Sequence, residues 1–253
     1  MITLKRLTQP PRHPWLTLRR RRPQVFAVFS YRFDAHLVPN LLANIEPIVD
    51  GWVAFDDRAA TGVFSSEAGR RRILLQEARK AGADWILAVD PDERFEAGVR
   101  SRIRRLMAES GRVAWGFRFR EMYTPTTYRI DGIWGKKIRY CLFTMFDPAE
   151  RTDTGLHDLW FPRDGGFQTR HCDLDLYHLK MIAPARRLAR RDLYNFLDPN
   201  RADQPIGYDY LAEERDAAFE TIPRNRLYHP AHVDDGGLWM QDLGSLRKHP
   251  IGE

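Results

Sequence analysis

Cysteine is scarce in this chain. Only Cys141 and Cys172 occur among 253 residues, too few for a disulfide framework and without the spacing of a zinc site. Reduced thiols in a cytoplasm are the resulting expectation. Long apolar runs are missing too: none approaches the ~20 residues that cross a bilayer. The N-terminus is basic and no apolar stretch follows it, so no secretory signal peptide is expected. Several motifs are lacking. No G-x-G-x-x-G follows the first apolar run and no G-x-x-x-x-G-K-[ST] occurs, which argues against dinucleotide dehydrogenases and P-loop NTPases. The lack of G-x-S-x-G argues against an α/β-hydrolase, and no H-E-x-x-H is present to hold a zinc. There is no internal repeat.

The hydrophobic fraction, 43%, is ordinary for a globular protein and permits a sizeable core. The formal charge of +6 owes much to the first 22 residues, which end in Leu18-Arg19-Arg20-Arg21-Arg22. Residues 1–23 read as a basic tail, either a solvated leader or a contact for nucleic acid or anionic headgroups. The reading adopted is peripheral contact with the inner face of a membrane, without nucleic acid. The remaining charge is nearly balanced.

From Val25 the pattern changes. Val25–Phe29 is continuously apolar and suits a strand buried on both faces. Leu37, Leu41, Leu42, Ile45 and Ile48 make a helical stripe. Gly51–Phe55 is a second apolar run, ended by Asp56 and Asp57. Ser65 or Ser66 is placed to cap a helix running to about Ala81, stopped by Gly82. Trp85–Val89 is the third apolar run, and a basic helix is predicted near Ala97–Glu109. Strand and helix thus alternate at short spacing, which predicts an α/β fold with a parallel sheet and crossover helices. Ligands of such sheets bind beyond the carboxyl ends of the strands. Those ends carry Ser30, then Asp56-Asp57, then Asp90-Pro91-Asp92.

Beyond about residue 110 the pattern loosens. Val113–Phe119 and Lys136–Phe146 read as antiparallel strands, with turns at Pro125 and Gly132. Ala183–Leu197 reads as a helix with Pro184 in its first turn. After about Asn200 one helix near Tyr208–Glu220 is predicted, among loops. The domain reading is therefore a tail at 1–23 and a main domain at 24–200, divided at 110. A C-terminal extension, 201–253, packs on the same domain.

Asp90-Pro91-Asp92 has two physical uses. Carboxylates two residues apart, with a proline setting the turn, can share one divalent cation, and Mg²⁺ or Mn²⁺ favours such ligands beside substrate phosphates. Alternatively Asp90 or Asp92 caps the following helix, with Glu93 in its first turn.

The order of these features resembles the GT-A glycosyltransferases, and within them the family 2 type. The matching stretches are "VFAVFSYRFD" at the first strand, "VDGWVAFDDRAATG" at the second and "ARKAGADWILAVDPDERF" at the third. They cover about the first two-fifths of the chain. The turn Asp56-Asp57-Arg58-Ala59-Ala60-Thr61-Gly62 departs in detail from the family's usual Ser/Thr-Asp-Gly step. The resemblance implies a Rossmann-like three-layer sandwich, its sheet mostly parallel, with a smaller antiparallel part on the acceptor side. Residues 24–110 would then be the nucleotide-binding half and 111–200 the acceptor half.

The implied activity is metal-dependent, inverting transfer of a sugar from a UDP- or GDP-sugar to a glycan or glycolipid hydroxyl. In this reading Asp57 and Asp84 contact the base or ribose, and Ser30, Tyr31 and Arg32 lie at the nucleotide's edge. Asp90 faces the ribose or the metal. Asp92 holds Mn²⁺ or Mg²⁺ near the diphosphate, with His178 as a later ligand. In "GLHDLWF", Asp158 takes the place of the general base, and His157 orients it or binds diphosphate. Loop hydrogen bonding by that pair is the alternative, and a satisfied buried histidine is the alternative for His178. Trp115, Trp134 and Trp160 offer faces for sugar stacking or for the core. Arg186, Arg187, Arg190 and Arg191 read mostly as a solvated face, one or two of them reaching the diphosphate. Two other functions fit less well. A nucleotidyltransferase would carry a Gly-rich loop after the first strand, and Ser30–Asn40 contains no glycine. A non-catalytic glycan- or partner-binding module would not need Asp57, Asp90 and Asp92 together.

Overall fold

A computed structural model describes residues 1–7, 22–60, 67–150, 159–202 and 204–244. The first element, β1 (Ile2–Arg6), is followed by β2 (Val25–Tyr31), α1 (Val38–Ile45), β3 (Gly51–Asp56), α2 (Glu67–Lys80) and β4 (Trp85–Ala88). Next come β5 (Glu93–Phe95), α3 (Val99–Leu106), β6 (Val113–Glu121), β7 (Thr127–Arg129) and β8 (Ile138–Thr144). The chain continues through β9 (Gln168–His178), α4 (Pro184–Leu197) and β10 (Phe219–Thr221). Eight strands form one sheet in the order β1-β3-β2-β4-β8-β6-β9-β5, and β10 pairs with β7 in a small separate sheet.

The α/β expectation holds. The apolar runs at β2, β3 and β4 pair in parallel, β3 and β4 flanking β2. Alternate residues of β2 enter opposite cores, as a two-residue side-chain period requires. Val25, Ala27 and Phe29 pack with Leu41 and Ile45 of α1 and Val99 and Ile103 of α3. Phe26 and Val28 pack with Leu74, Leu75 and Ala78 of α2. Two helical layers thus enclose the sheet, and both faces of β2 are dry.

The second half of the sheet is mixed. β8 runs antiparallel to β4 and β6, and β9 runs parallel to β6. This layout gathers polar strand ends at one edge. The carboxyl ends of β2, β3, β4, β6 and β9 lie there, together with the first residues of β8 and β5.

Four expectations are corrected. Residues 1–23 are not wholly a tail, because Ile2–Arg6 adds an antiparallel edge strand to β3. Most of the arginine cluster lies outside the described residues, as do Ser65 and Ser66. No helix follows Asp92 directly: Glu93–Phe95 pairs with β9, and α3 starts only after Gly98. Capping therefore does not explain the acids. The helix predicted near Tyr208–Glu220 is a single turn at Asp209–Leu211 followed by β10. Pairing with β7 overrides local propensity there. Finally, the arginines of α4 are only in part a solvated face: Arg186 is 0% exposed, Arg187 is buried and Arg190 lines the cleft, while Arg191 is part-exposed.

Candidate active site

The gathered strand ends border a cleft of about 570 Å³. Among the predicted site residues, Ser30, Tyr31, Arg32, Asp57, Asp90, Asp92, Trp160 and His178 line it. The cleft forms because each apolar run ends abruptly at the same edge. Asp57 donates its backbone N–H to Tyr31 O, 3.0 Å away, so β3 finishes level with β2, and Val89 donates to Val28 O at 3.1 Å, so β4 stops short of them and leaves room for the Asp90–Glu93 turn.

Asp84 is the exception. It precedes β4, at the opposite end of the sheet, where its carboxylate accepts the Gln24 N–H at 2.7 Å. It closes the start of β2 and does not line the cleft. His157 and Asp158 lie outside the described residues. Trp115 is half-buried, its indole donating to Leu106 O at 3.0 Å, and Trp134 is buried in a core cluster. Of the three tryptophans weighed for sugar stacking, only Trp160 borders the cleft.

Helix α2 supplies one wall. Glu67, Arg70, Arg71 and Leu74 are spaced i, i+3, i+4 and i+7, so they share a face, and all four line the cleft. Arg70 donates to Asp57 Oδ2 at 3.0 Å, Arg71 pairs with Glu67, and the Arg71 guanidinium lies 4.9 Å from the Trp160 ring centre. Trp160 is buried, and its indole N–H has no hydrogen-bond partner among the described residues. A donor buried without a partner is costly, so this N–H suits a ligand acceptor.

The Asp90–Glu93 turn is held by its own charges. Glu93 Oε2 accepts the Asp90 N–H at 2.9 Å. Arg139, at the start of β8, lies 2.9 Å from Asp90 Oδ2 and 3.1 Å from Glu93 Oε1. The β4–β8 pairing, with Leu87 opposite Leu142, brings Arg139 alongside Asp90. Burial pushes the Glu93 carboxyl up to about 8, Arg139 only partly offsetting it.

Asp92 is 3% exposed. His178 Nε2 is 3.4 Å from its Oδ2 and Lys180 Nζ is 3.8 Å away. Burial opposes ionisation of Asp92, but His178 and Lys180 outweigh it and hold the carboxyl below the usual range. The far imidazole nitrogen, Nδ1, sits 2.6 Å from Glu121 Oε2, and Lys137 bonds the other oxygen of Glu121 at 2.8 Å. Burial disfavours charge on His178, and Glu121 and Asp92 overcome this, raising its pKa to about 9. Burial, then the neighbouring Asp92 charge, raises Asp34 to about 6.

Among the described residues no three His, Cys, Asp or Glu side chains converge to form a metal cage. Asp92 offers a buried carboxylate to a cation, and His178 would join it only on losing the proton that its raised pKa retains. They present an oxygen and a nitrogen 3.4 Å apart, with Glu121 behind the imidazole as metal-binding histidines require. Mg²⁺ and Mn²⁺ commonly take one or two protein ligands and complete the shell with phosphate oxygens and water.

No family profile and no curated protein matches the sequence. Among solved structures, the chain is similar to a glycosyltransferase involved in the glycosylation of the major capsid of PBCV-1, with a TM-score of 0.33. Identity is 14%, over 51% of this chain and 63% of that one. It is also similar to mannose-1-phosphate geranyltransferase from Thermus thermophilus, with a TM-score of 0.26 and 16% identity over 51% of this chain and 52% of that one. The chain spans less than two-thirds of each neighbour. Likenesses this partial assign no activity.

Several cleft residues escaped sequence reasoning. Arg70 and Arg71 had a readable signal, their spacing on a helix that leads from the end of β3. Glu121, Lys137 and Arg139 had none, because their positions depend on the strand order β4-β8-β6-β9. Asp34, Lys180 and the C-terminal aromatics also escaped it, whereas Arg190 is one of the α4 arginines of which one or two were expected to reach inward.

Proposed function

We propose that the protein is a glycosyltransferase that moves a sugar from a nucleoside-diphosphate donor to an acceptor hydroxyl, with inversion. The observation that carries this reading is the convergence of Asp57, Asp90, Asp92 and His178, from four strand ends, in one cleft rich in arginine and lysine. Asp57, with Arg70 and the Trp160 N–H, is suited to the nucleoside, and Ser30, Tyr31 and Arg32 to its edge. Asp90 faces the ribose side. Asp92 and His178 would hold Mn²⁺ or Mg²⁺, which neutralises charge on the departing diphosphate. Lys180 and Arg190 add fixed positive charge near the same point.

In the transfer the acceptor oxygen forms a bond to the anomeric carbon as the bond from that carbon to the diphosphate oxygen breaks. The diphosphate leaves with the electron pair, and the acceptor proton passes to a carboxylate. Asp158 is our proposed base and His157 its partner, two residues before the cleft-lining Trp160 in sequence. The base needs to lie within hydrogen-bond reach of the acceptor hydroxyl.

Calorimetric titration of UDP, GDP and their sugars, with and without Mn²⁺, tests the reading. Metal-dependent binding of one nucleotide is expected, and no binding of any would overturn it. Product analysis separates the chemistry: a nucleoside diphosphate is released by glycosyl transfer, whereas pyrophosphate signals nucleotidyl transfer. Asp158→Asn is expected to abolish transfer and keep donor affinity; full activity would remove Asp158 as base.

A further inference from the structure

The cleft has two chemically unlike walls. Every carboxylate lining it among the described residues lies between Asp34 and Glu121 in sequence. The lining residues from Trp160 onward include no acid at all. They present the half-buried rings of Tyr194 and Tyr210, the buried rings of Tyr208 and Trp239 beside them, and two amides, Gln204 and Gln241.

This second wall is built rigidly. The Tyr194 and Tyr208 rings lie 5.1 Å apart, and the Tyr208 hydroxyl donates to Asp198 at 2.8 Å. Tyr210 packs 5.5 Å from Trp134, and Gln204 Nε2 donates to the Tyr210 hydroxyl at 3.2 Å. Trp239 adopts φ 59°, a left-handed conformation that a bulky side chain keeps only when neighbours impose it. The imposition is visible. Its indole N–H donates to Asp235 at 3.0 Å, its ring covers the Arg186 guanidinium at 3.5 Å, and buried Arg186 is tied to Asp234 at 2.9 Å.

Aromatic faces are apolar platforms, and an amide both donates and accepts, as a hydroxyl does. The wall thus matches a sugar ring, with apolar C–H faces and a rim of hydroxyls. A phosphate-bearing acceptor would need cations of its own. Among the described residues that line the cleft, none from Tyr194 to Gln241 is a lysine or arginine. Lys180 faces Asp92. Arg190 contacts the Tyr194 ring at 5.4 Å.

We propose that the wall from Tyr194 to Gln241 is the acceptor subsite, and that its ligand is a neutral, hydroxyl-rich sugar ring. This rests on the glycosyltransferase reading and narrows its acceptor. Saturation-transfer NMR with methyl hexopyranosides tests it without any donor. Ring-proton saturation is expected in the full chain. Tyr210→Ala is expected to weaken binding about tenfold, the scale of losing one aromatic platform. Tyr210→Phe keeps the ring and should bind nearly as the parent does, which separates loss of the platform from misfolding. Nucleotide affinity should be the same in all three. Binding of a short isoprenyl phosphate in place of the hexosides, or parental affinity in Tyr210→Ala, would overturn the proposal. Failure of nucleotides to bind, with sugar saturation intact, would remove the transferase reading and leave the sugar subsite standing.

Discussion

Arg139 stands between two acids that cannot tolerate its loss equally. Asp90 is half-exposed and water can replace the lost partner, whereas Glu93 is 1% exposed. Removing one partner of a buried pair leaves the other uncompensated. Glu93, its carboxyl held at about 8, takes up a proton in Arg139→Met instead of remaining an unpaired charge, so the variant is expected to cost about 1 kcal/mol at pH 7 and more at pH 9, read as a lowered midpoint in urea unfolding; an unchanged midpoint at both pH values would show that Glu93 does not depend on Arg139. At the proposed cation site, Asp92→Asn is expected to cut transfer by about a hundredfold, the scale of losing one electrostatic contact to developing charge. It should also remove the effect of Mn²⁺ on nucleotide affinity. The cysteines give a simpler test. Burial pushes the Cys172 thiol up to about 12 and raises Cys141 well above its ordinary value. The thiolate is the reactive form, so at pH 8 both stay protonated. Alkylation by iodoacetamide, followed by mass spectrometry, is expected to be slow in the native chain and fast in urea.

At the scale of elements, the edge strand and the inward helices set the limits on change. Gly51 lies where β1, β3 and β2 meet. A Cβ there would sit 2.5 Å from a ring carbon of Phe26 and 2.7 Å from Lys5 O. The Lys5 oxygen belongs to the β1 backbone and cannot rotate away. Gly51→Ala is expected to cost about 1–3 kcal/mol by overpacking, measurable as a fall in melting temperature. Strands β2 and β4, buried on both faces, announce themselves in sequence as unbroken apolar runs. Helices α2 and α4 do not announce their role, because both turn arginines inward. A basic helix face ordinarily meets water. Here Arg70 and Arg71 meet Asp57, Glu67 and Trp160, and Arg186 meets Asp234, Asp235 and Trp239.

On the scale of the whole molecule, the sheet separates two ends with different duties. The cleft end carries Asp57, Asp90 and Asp92. The opposite end carries Asp84, and also Asp50, which bonds Arg104 through both oxygens at 2.9 Å. Two aspartates named together from sequence should then behave differently. Asp57→Asn is expected to weaken nucleotide binding about tenfold. Asp84→Asn should leave that affinity unchanged and cost about 1 kcal/mol of stability through the weakened Gln24 bond. Calorimetry paired with urea unfolding distinguishes the two outcomes. Among the described residues no helix is long and apolar enough to cross a membrane.

The sequence by itself determined the first half of the sheet. Apolar runs ending in acids have one stable arrangement, with the runs dry between helices and the acids in water at the strand ends. Asp57, Asp90 and Asp92 could be read from it for that reason. Tertiary structure alone decided the rest. Which strand neighbours β4 is a matter of sheet order, and only that order brings Arg139 to Asp90. It likewise sets Glu121 opposite His178, and no local period encodes either pairing. Asp84 is a different case. It precedes the third apolar run, so the predicted parallel sheet already set it at the end opposite Asp90, and only the family resemblance gave it a role in the site.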